Sequence, residues 1–364
     1  MTAMQKIFHG YEHIETALKE AGISHYMLVC DTSFPFLPIK NEFHTDIVFD
    51  QFTPNPLYEQ VCKGVELFLA NQCDAIVAVG GGSTIDVAKC IKLFCKIDSS
   101  QNYLQQEFKD SGIPLIAIPT TAGTGSESTQ YAVIYFEGKK QSITHESIIP
   151  DFAILEPILL KTLPLYQKKC TMMDALCQGI ESWWSINSTE ESKTYSQKTV
   201  ELIMANWENY IFGNDDKAAA QIMRAANYGG RAINIAQTTA PHAMSYKITS
   251  LYKLPHGHAV AVCLPEVWEY MQKQLQHCID PRGNAYLTNV FLDIAHSLGC
   301  QDTSEAIVFM RNILKLLSLE NPVSNHRESD LAVLSQSINP TRMRNNPVKV
   351  SERAAYQLYG QIIQ

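Results

Sequence analysis

The sequence predicts an α/β protein in two parts: a parallel sheet clad in helices over residues 1–160, then an all-helical part over 161–364. Three observations predict it. Short apolar strand-like runs alternate with helical patterns up to about residue 160, the signature of a parallel sheet covered on both faces. Two of those runs lead straight into loops rich in Gly, Ser and Thr. After Pro164, strand-like runs become rare and helical spacing takes over. A chain of 364 residues is also longer than one hydrophobic core usually serves.

The elements follow in order. Residues 11–21 read as a helix ended by Gly22. Tyr26–Cys30 and Ile47–Phe49 are apolar strand candidates. Asn55-Pro56 starts a helix, with Asn as cap and Pro in the first turn, and Val61, Val65 and Phe68 supply its apolar side. Ala75–Val79 is a third strand, followed at once by Gly80-Gly81-Gly82-Ser83 and by helical spacing from Ile85 to Phe94. Pro114–Ile118 is a fourth strand, running into the polar loop Thr120–Ser126. Tyr131–Phe136 starts a hairpin through Glu137-Gly138. In the second part, Ser188-x-x-Glu191 reads as a capping box. Val200, Ile203, Trp207, Tyr210 and Ile211 then mark the buried face of one helix.

Composition narrows the function. With 29 basic and 37 acidic residues the net charge is -8, and no basic stripe offers itself to nucleic acid. The 10 cysteines form no Cys-x-x-Cys pair and several sit in apolar runs, so they read as buried thiols in a reducing compartment. No signal-like or membrane-length apolar run is present, and the cytoplasm is the expected location.

Gly80, Gly81 and Gly82 stand at a strand-to-helix turn, where no side chain blocks an anion and the first helical N–H groups point outward. That suits a pyrophosphate; the alternative is a tight turn needing positive φ. The spacing is not G-x-G-x-x-G, so an ordinary Rossmann fingerprint is not implied. The second loop, Pro119–Glu127, follows a neighbouring strand end, where ligands of open α/β sheets bind. Its threonine hydroxyls can bond ribose or nicotinamide oxygens. Asp31 ends the first strand, where a carboxylate can accept from a ribose hydroxyl and repel a 2′-phosphate.

Asp174 and Gln178 lie four residues apart, on one helical face. His242 follows downstream and His256 fourteen residues later, with His258 beside it. One carboxylate and two imidazoles can hold a divalent metal and leave a position for substrate. Alone, Asp174 reads better as a cap, His242 as a core histidine and His256 as a loop residue before Gly257.

Together these stretches resemble the iron-containing alcohol dehydrogenase family, similar in fold to dehydroquinate synthase and glycerol dehydrogenase. The matching segments are GGGSTIDVAK (80–89), IPTTAGTGSE (118–127), MDALCQGIES (173–182), PHAMSY (241–246), PHGHAVAVCLP (255–265) and NNPVKVSERAAYQLY (345–359). The resemblance implies a Rossmann-like dinucleotide domain, an all-α metal and substrate domain, NAD or NADP, one divalent metal (Fe2+ or Zn2+) and a homodimer. Position by position, it assigns the pyrophosphate to Gly80, Gly81, Gly82 and Ser83, with Asp86 in the same motif. It gives other cofactor contacts to Thr120, Thr121, Thr124 and Lys140, and the metal to Asp174, His242 and His256. Gln178 stands where many relatives carry a further histidine ligand, so it is either a fourth ligand, through its oxygen or through water, or no ligand in a three-ligand site; Tyr246 stands where many carry another histidine. Tyr246 and His258 are the possible proton relays. Residues 32–46 are short for the family's usual helix there.

The expected activity is hydride transfer between NAD(P)H and a small aldehyde. DALCQGIESWWSINSTEES and TTAPHAMSY are similar to the phosphonoacetaldehyde reductase branch, with Arg231, Lys247 and His145 as candidate anion partners. The alternatives are a sugar-phosphate cyclase of the dehydroquinate synthase type, a glycerol dehydrogenase-like polyol oxidation, and a non-catalytic binding module. No nucleic-acid or membrane partner is expected.

Overall fold

The computed structural model describes residues 5–364. The chain divides into two compact units between Leu163 and Pro164.

The first unit is built on eight strands: β1 (Lys6–His9), β2 (Tyr26–Cys30), β3 (Val48–Phe49), β4 (Ala75–Gly80), β5 (Leu115–Pro119), β6 (Tyr131–Phe136), β7 (Lys139–Thr144) and β8 (Phe152–Leu155). Six of them form one parallel sheet in the order β1-β8-β5-β4-β2-β3. Alternate residues of the inner strands enter opposite cores. Met27, Val29, Ile76, Ala78, Leu115 and Ala117 join one apolar cluster, while Leu28, Cys30, Val77, Val79, Ile116 and Ile118 join the other. Apolar side chains on both faces explain why these strands read as unbroken hydrophobic runs. Helices α1 (Ile14–Glu20), α2 (Tyr58–Ala70) and α3 (Gly82–Phe94) complete the layers.

β6 and β7 form a separate antiparallel hairpin. Glu137 (φ 50°) and Gly138 (φ 71°) both take positive φ, as a two-residue hairpin turn of this hand requires. Residues 32–46 hold two single-turn 3-10 helices, at Phe34–Phe36 and Lys40–Glu42, and no full helix.

Several local expectations are corrected. The first helix begins with a 3-10 turn at Tyr11–His13, and its α-helical part ends at Glu20, ahead of Gly22 at φ 67°. Asn55-Pro56 does not open α2, whose cap is Leu57. Asn55 instead takes positive φ (58°), and the Pro56 carbonyl accepts from Tyr135 N at 2.8 Å, so the hairpin recruits this segment. Gln60 Oε1 closes the helix start by accepting from Leu57 N at 2.9 Å. The capping box lies one residue later than expected: Thr189 Oγ1 accepts from Ser192 N at 3.1 Å, and Thr189 N donates to Ser192 Oγ at 2.8 Å. The four-residue strands β1 and β8 carry no sequence periodicity that would announce them.

The second unit is helical: α4 (Leu165–Trp184), α5 (Glu190–Ile211), α6 (Asp216–Ala236), α7 (Ala240–Tyr252), α8 (His256–Lys273), α9 (Asn284–Ser297), α10 (Thr303–Leu316), α11 (Arg327–Gln336), α12 (Pro340–Met343) and α13 (Glu352–Ile362). α4 is the central rod, packed against α5, α6 and α8 and buried almost throughout its last three turns. Trp184, Trp268 and Phe291 meet at edge and tilted angles in the core beside it. The expected face of α5, from Val200 to Ile211, is buried. All ten cysteines are free thiols. Among the described residues no helix is long and apolar enough to cross a membrane.

Candidate cofactor loops and metal centre

In the first unit, β4 lies between β2 and β5, so the ends of all three strands come together. Gly80 ends β4, Gly81 is the N-cap, and Gly82 begins α3. None of the three takes positive φ, which removes the strained-turn explanation. Close approach is the reason for two of them. A Cβ on Gly80 would lie 2.2 Å from Thr84 Oγ1, and one on Gly82 would lie 2.8 Å from Thr124 Cγ2. Gly81 faces Thr121 at ordinary contact distance, 3.4 Å. The two loops are therefore packed glycine to threonine. Thr120 N donates to Gly80 O at 3.0 Å and ties them further. The first N–H groups of α3 have no acceptor within the helix.

Asp31 sits at the end of β2. Its Oδ1 accepts from Ser33 N at 2.8 Å, and its Oδ2 from Thr84 Oγ1 at 3.4 Å, which places it beside the glycine loop. Ser83 Oγ accepts from Asn55 N at 3.3 Å. Asp86 directs its carboxylate to Ser126 Oγ (3.1 Å) and Val133 N (3.0 Å). Lys140 stands on β7 opposite Tyr135; burial raises the pKa of Asp86, and the charges of Lys89 and Lys140 oppose that rise. His145 caps a 3-10 turn through Ser147.

In the second unit, α4, α7 and α8 each bring one ligand-type atom to a single point. Asp174, His242 and His256 offer an oxygen and two nitrogens that all lie within 4.8 Å of one another. His242 Nε2 is 3.4 Å from Asp174 Oδ1, and His256 Nε2 is 3.9 Å from it. Ligands bound at about 2.1 Å around a tetrahedral ion stand about 3.4 Å apart, so the separations suit a metal. Asp174 Oδ1 is buried and accepts no hydrogen bond, an orphaned acceptor that a cation would satisfy. The site is closed around Asp174 and His242, with side-chain exposures of 4% and 5%, and open at His256 with 38%. One face therefore remains for a substrate.

Local packing explains how α8 reaches the point. A Cβ on Gly257 would lie 2.0 Å from the Cys170 carbonyl oxygen and 2.9 Å from Asp174 Cβ. Glycine there lets the start of α8, with His256 as its first residue, press against α4. Gln178 follows Asp174 by one turn on α4, and its side chain favours the ionised form of Asp174. Tyr246, one turn after His242 on α7, stacks on His256 at 5.7 Å and 11°. His258 faces elsewhere. Its Nδ1 is 2.8 Å from Tyr166 OH and its Nε2 is 2.8 Å from Glu320 O, so both ring nitrogens are engaged in packing.

Glu181 is the residue that sequence reading missed. It is fully buried on α4, one further turn beyond Gln178 on the same side as Asp174. Its Oε1 lies 2.5 Å from His242 Nδ1. Its Oε2 accepts from Thr239 N (2.8 Å) and Thr239 Oγ1 (3.0 Å) at the start of α7. This carboxylate holds the imidazole with Nε2 turned toward Asp174, the arrangement that orients a metal-binding histidine. Burial alone would lower the pKa of His242, but Glu181 and Asp174 overcome it and push it up to about 10. Burial likewise opposes ionisation of Asp174, yet His242 and His256 hold its pKa below the ordinary value. A divalent cation would replace the Nε2 proton of His242, on the side facing Asp174, while Glu181 keeps Nδ1.

Of the candidate anion partners, Lys247 follows Tyr246 on α7, half-buried, and the Arg231 guanidinium lies 5.7 Å from the Tyr195 ring.

Residues 5–157 match the iron-containing alcohol dehydrogenase family, and residues 169–362 match that family's C-terminal part. A phosphonoacetaldehyde reductase of Streptomyces viridochromogenes is 31% identical, over 80% of this chain and 77% of its own. Alcohol dehydrogenase 4 of Schizosaccharomyces pombe is 32% identical, over 79% and 68%. A crystal structure of sulfoacetaldehyde reductase from Bifidobacterium kashiwanohense, in complex with NAD+, superposes with a TM-score of 0.87 at 24% identity, covering 98% of this chain and 96% of that one. These matches set aside the cyclase and binding-module alternatives. An α/β unit with two strand-end loops, a helical unit with an Asp-His-His point, and sequence matches across both halves converge: the chain belongs to the iron-containing alcohol dehydrogenase family, whose members are metal- and NAD(P)-dependent oxidoreductases.

Proposed function

We propose that this protein reduces a small anionic aldehyde with NAD(P)H, with phosphonoacetaldehyde to 2-hydroxyethylphosphonate as the leading reaction. The observation that carries the reading is the Asp174–His242–His256 point, buried on the carboxylate side and open at His256. The substrate class is supported by two similar proteins named for phosphonate and sulfonate aldehydes.

Asp174, His242 and His256 would hold the metal, with Gln178 placed to steady Asp174. When bound, the ion supplies Lewis acidity toward the carbonyl oxygen. Gly80, Gly81, Gly82 and Ser83, at the start of α3, would receive the pyrophosphate, and Thr120, Thr121, Thr124 and Lys140 would take the remaining cofactor contacts. Asp31 beside Thr84 favours a free ribose 2′-hydroxyl, and so NAD over NADP. The reduced nicotinamide, held by these loops, would supply the hydride that turns the aldehyde into the alcohol. The alcohol oxygen takes its proton from solvent, with Tyr246 over His256 as the nearest protein relay. Lys247, Arg231 and His145 are the side chains to vary as anion partners.

The test is NADH and NADPH oxidation with phosphonoacetaldehyde, sulfoacetaldehyde and neutral aldehydes of similar size, with Fe(II) or Zn(II) supplied separately. Metal-dependent oxidation that prefers the anionic substrates is expected, and His256→Ala should abolish it. Turnover of neutral aldehydes alone would discard the anionic substrate. Full activity of metal-free His256→Ala would discard the metal site.

A further inference from the structure

Lys89 is the most deeply buried cation in the first unit and no step of the proposed reaction uses it. Its Nζ donates to Thr129 O at 2.6 Å, to Thr129 Oγ1 at 3.0 Å and to Tyr131 O at 2.8 Å. Three ammonium hydrogens meet three oxygens. An apolar side chain of similar volume would fill the place without desolvating a charge, but it would leave two main-chain carbonyls without this donor.

Position along α3 gives the arrangement its sense. Gly82, Asp86 and Lys89 are spaced i, i+4, i+7 and share one helical face. Each meets the segment that runs from the second loop into β6. Gly82 packs on Thr124, Asp86 accepts from Ser126 Oγ and Val133 N, and Lys89 holds Thr129 and Tyr131. Thr129 Oγ1 also reaches back to Ser126 O at 3.5 Å, linking the two anchors. Apart from one 3-10 turn at Ser126–Ser128, residues 120–130 have no helix or strand of their own. Their place is set by these side chains.

We propose that Asp86 and Lys89 are positioning residues that lock the second loop to the helix carrying the first, so that both loops are preorganised for the dinucleotide. The proposal rests on the reading that these loops bind NAD(P)H. It moves Asp86 from a direct cofactor contact to a clamp.

Burial lowers the pKa of Lys89 to about 8 against the raising effect of Asp86, Glu127 and Cys90. Above that pH a neutral amine has only two hydrogens for the three oxygens, so the clamp loosens as pH rises through about 8. Arginine in its place would not titrate there.

The test compares wild type with Lys89→Met, Lys89→Arg and Ser126→Ala. NADH dissociation constants are measured by fluorescence from pH 6.5 to pH 9.5, with metal affinity and thermal melting alongside. Lys89→Met is expected to weaken NADH at least tenfold at neutral pH, with kcat at saturating NADH within about threefold and metal affinity unchanged. Lys89→Arg should recover most of the binding and flatten the alkaline weakening seen in wild type. Ser126→Ala removes one hydroxyl far more gently; it should weaken NADH about threefold and decides the matter if Lys89→Met does not fold. Wild-type NADH affinity in folded Lys89→Met or in Ser126→Ala would overturn the clamp, as would a loss confined to kcat. Failure of the wild type to bind NADH or NADPH would instead overturn the cofactor reading, and the clamp with it.

Discussion

At the scale of single residues, the candidate metal centre shows what a sequence can and cannot disclose. Asp174, His242 and His256 are residue types that ligate metals, and their segments resemble a known family, so all three were legible. Glu181 was not. In the sequence it is one of 37 acidic residues, and only its complete burial against His242 Nδ1 separates it from a solvated carboxylate. His258 shows the converse: its place beside a ligand made it look like a relay, whereas its ring is engaged by Tyr166 and Glu320. Glu181→Gln keeps the shape and an acceptor for Thr239, yet removes the charge behind His242. Orienting partners of this kind are worth about 10- to 100-fold in metal affinity. That loss is expected in a metal titration at constant pH, with the fold retained by circular dichroism. Unchanged metal affinity in Glu181→Gln would remove it from the centre.

At the scale of elements, close approach decides more than propensity does. The start of α8 can press onto α4 because Gly257 has no Cβ to strike the Cys170 carbonyl at 2.0 Å. Gly257→Ala forces main chain to move and should cost about 1–3 kcal/mol in denaturant unfolding, and it should weaken metal binding by displacing His256. Gly81→Ala is the contrast. Its new methyl would find Thr121 at 3.4 Å in an ordinary backbone conformation, so stability should stay near wild type. Equal unfolding midpoints for Gly257→Ala and wild type would show that the helices are not held by this contact. The inner strands were legible because apolar side chains on both faces leave unbroken runs. Asn55-Pro56 was misread because a pairing across the fold, Pro56 O with Tyr135 N, outweighs a local capping preference. No window of sequence contains that partner.

At the scale of the whole molecule, the residues proposed for each ligand fall in one unit. Every cofactor-loop residue lies before residue 163, and every metal-ligand candidate lies after 164. A ligand that binds only the folded form stabilises what it binds by RT ln(1 + [L]/Kd), about 2.7 kcal/mol at a hundredfold excess over Kd. Hydrogen exchange should therefore answer each ligand in a different stretch of sequence. Zn(II) is expected to slow exchange in α4, α7 and the first turns of α8, where Asp174, His242 and His256 sit. NADH should slow it at the start of α3 and through residues 120–131, the loop that Asp86 and Lys89 hold. Chelation should reverse the first effect and leave the second in place. Metal-induced protection in the glycine loop with no change around His242 would contradict the assignment of ligands to units, because the orphaned Asp174 oxygen would then have gained no partner.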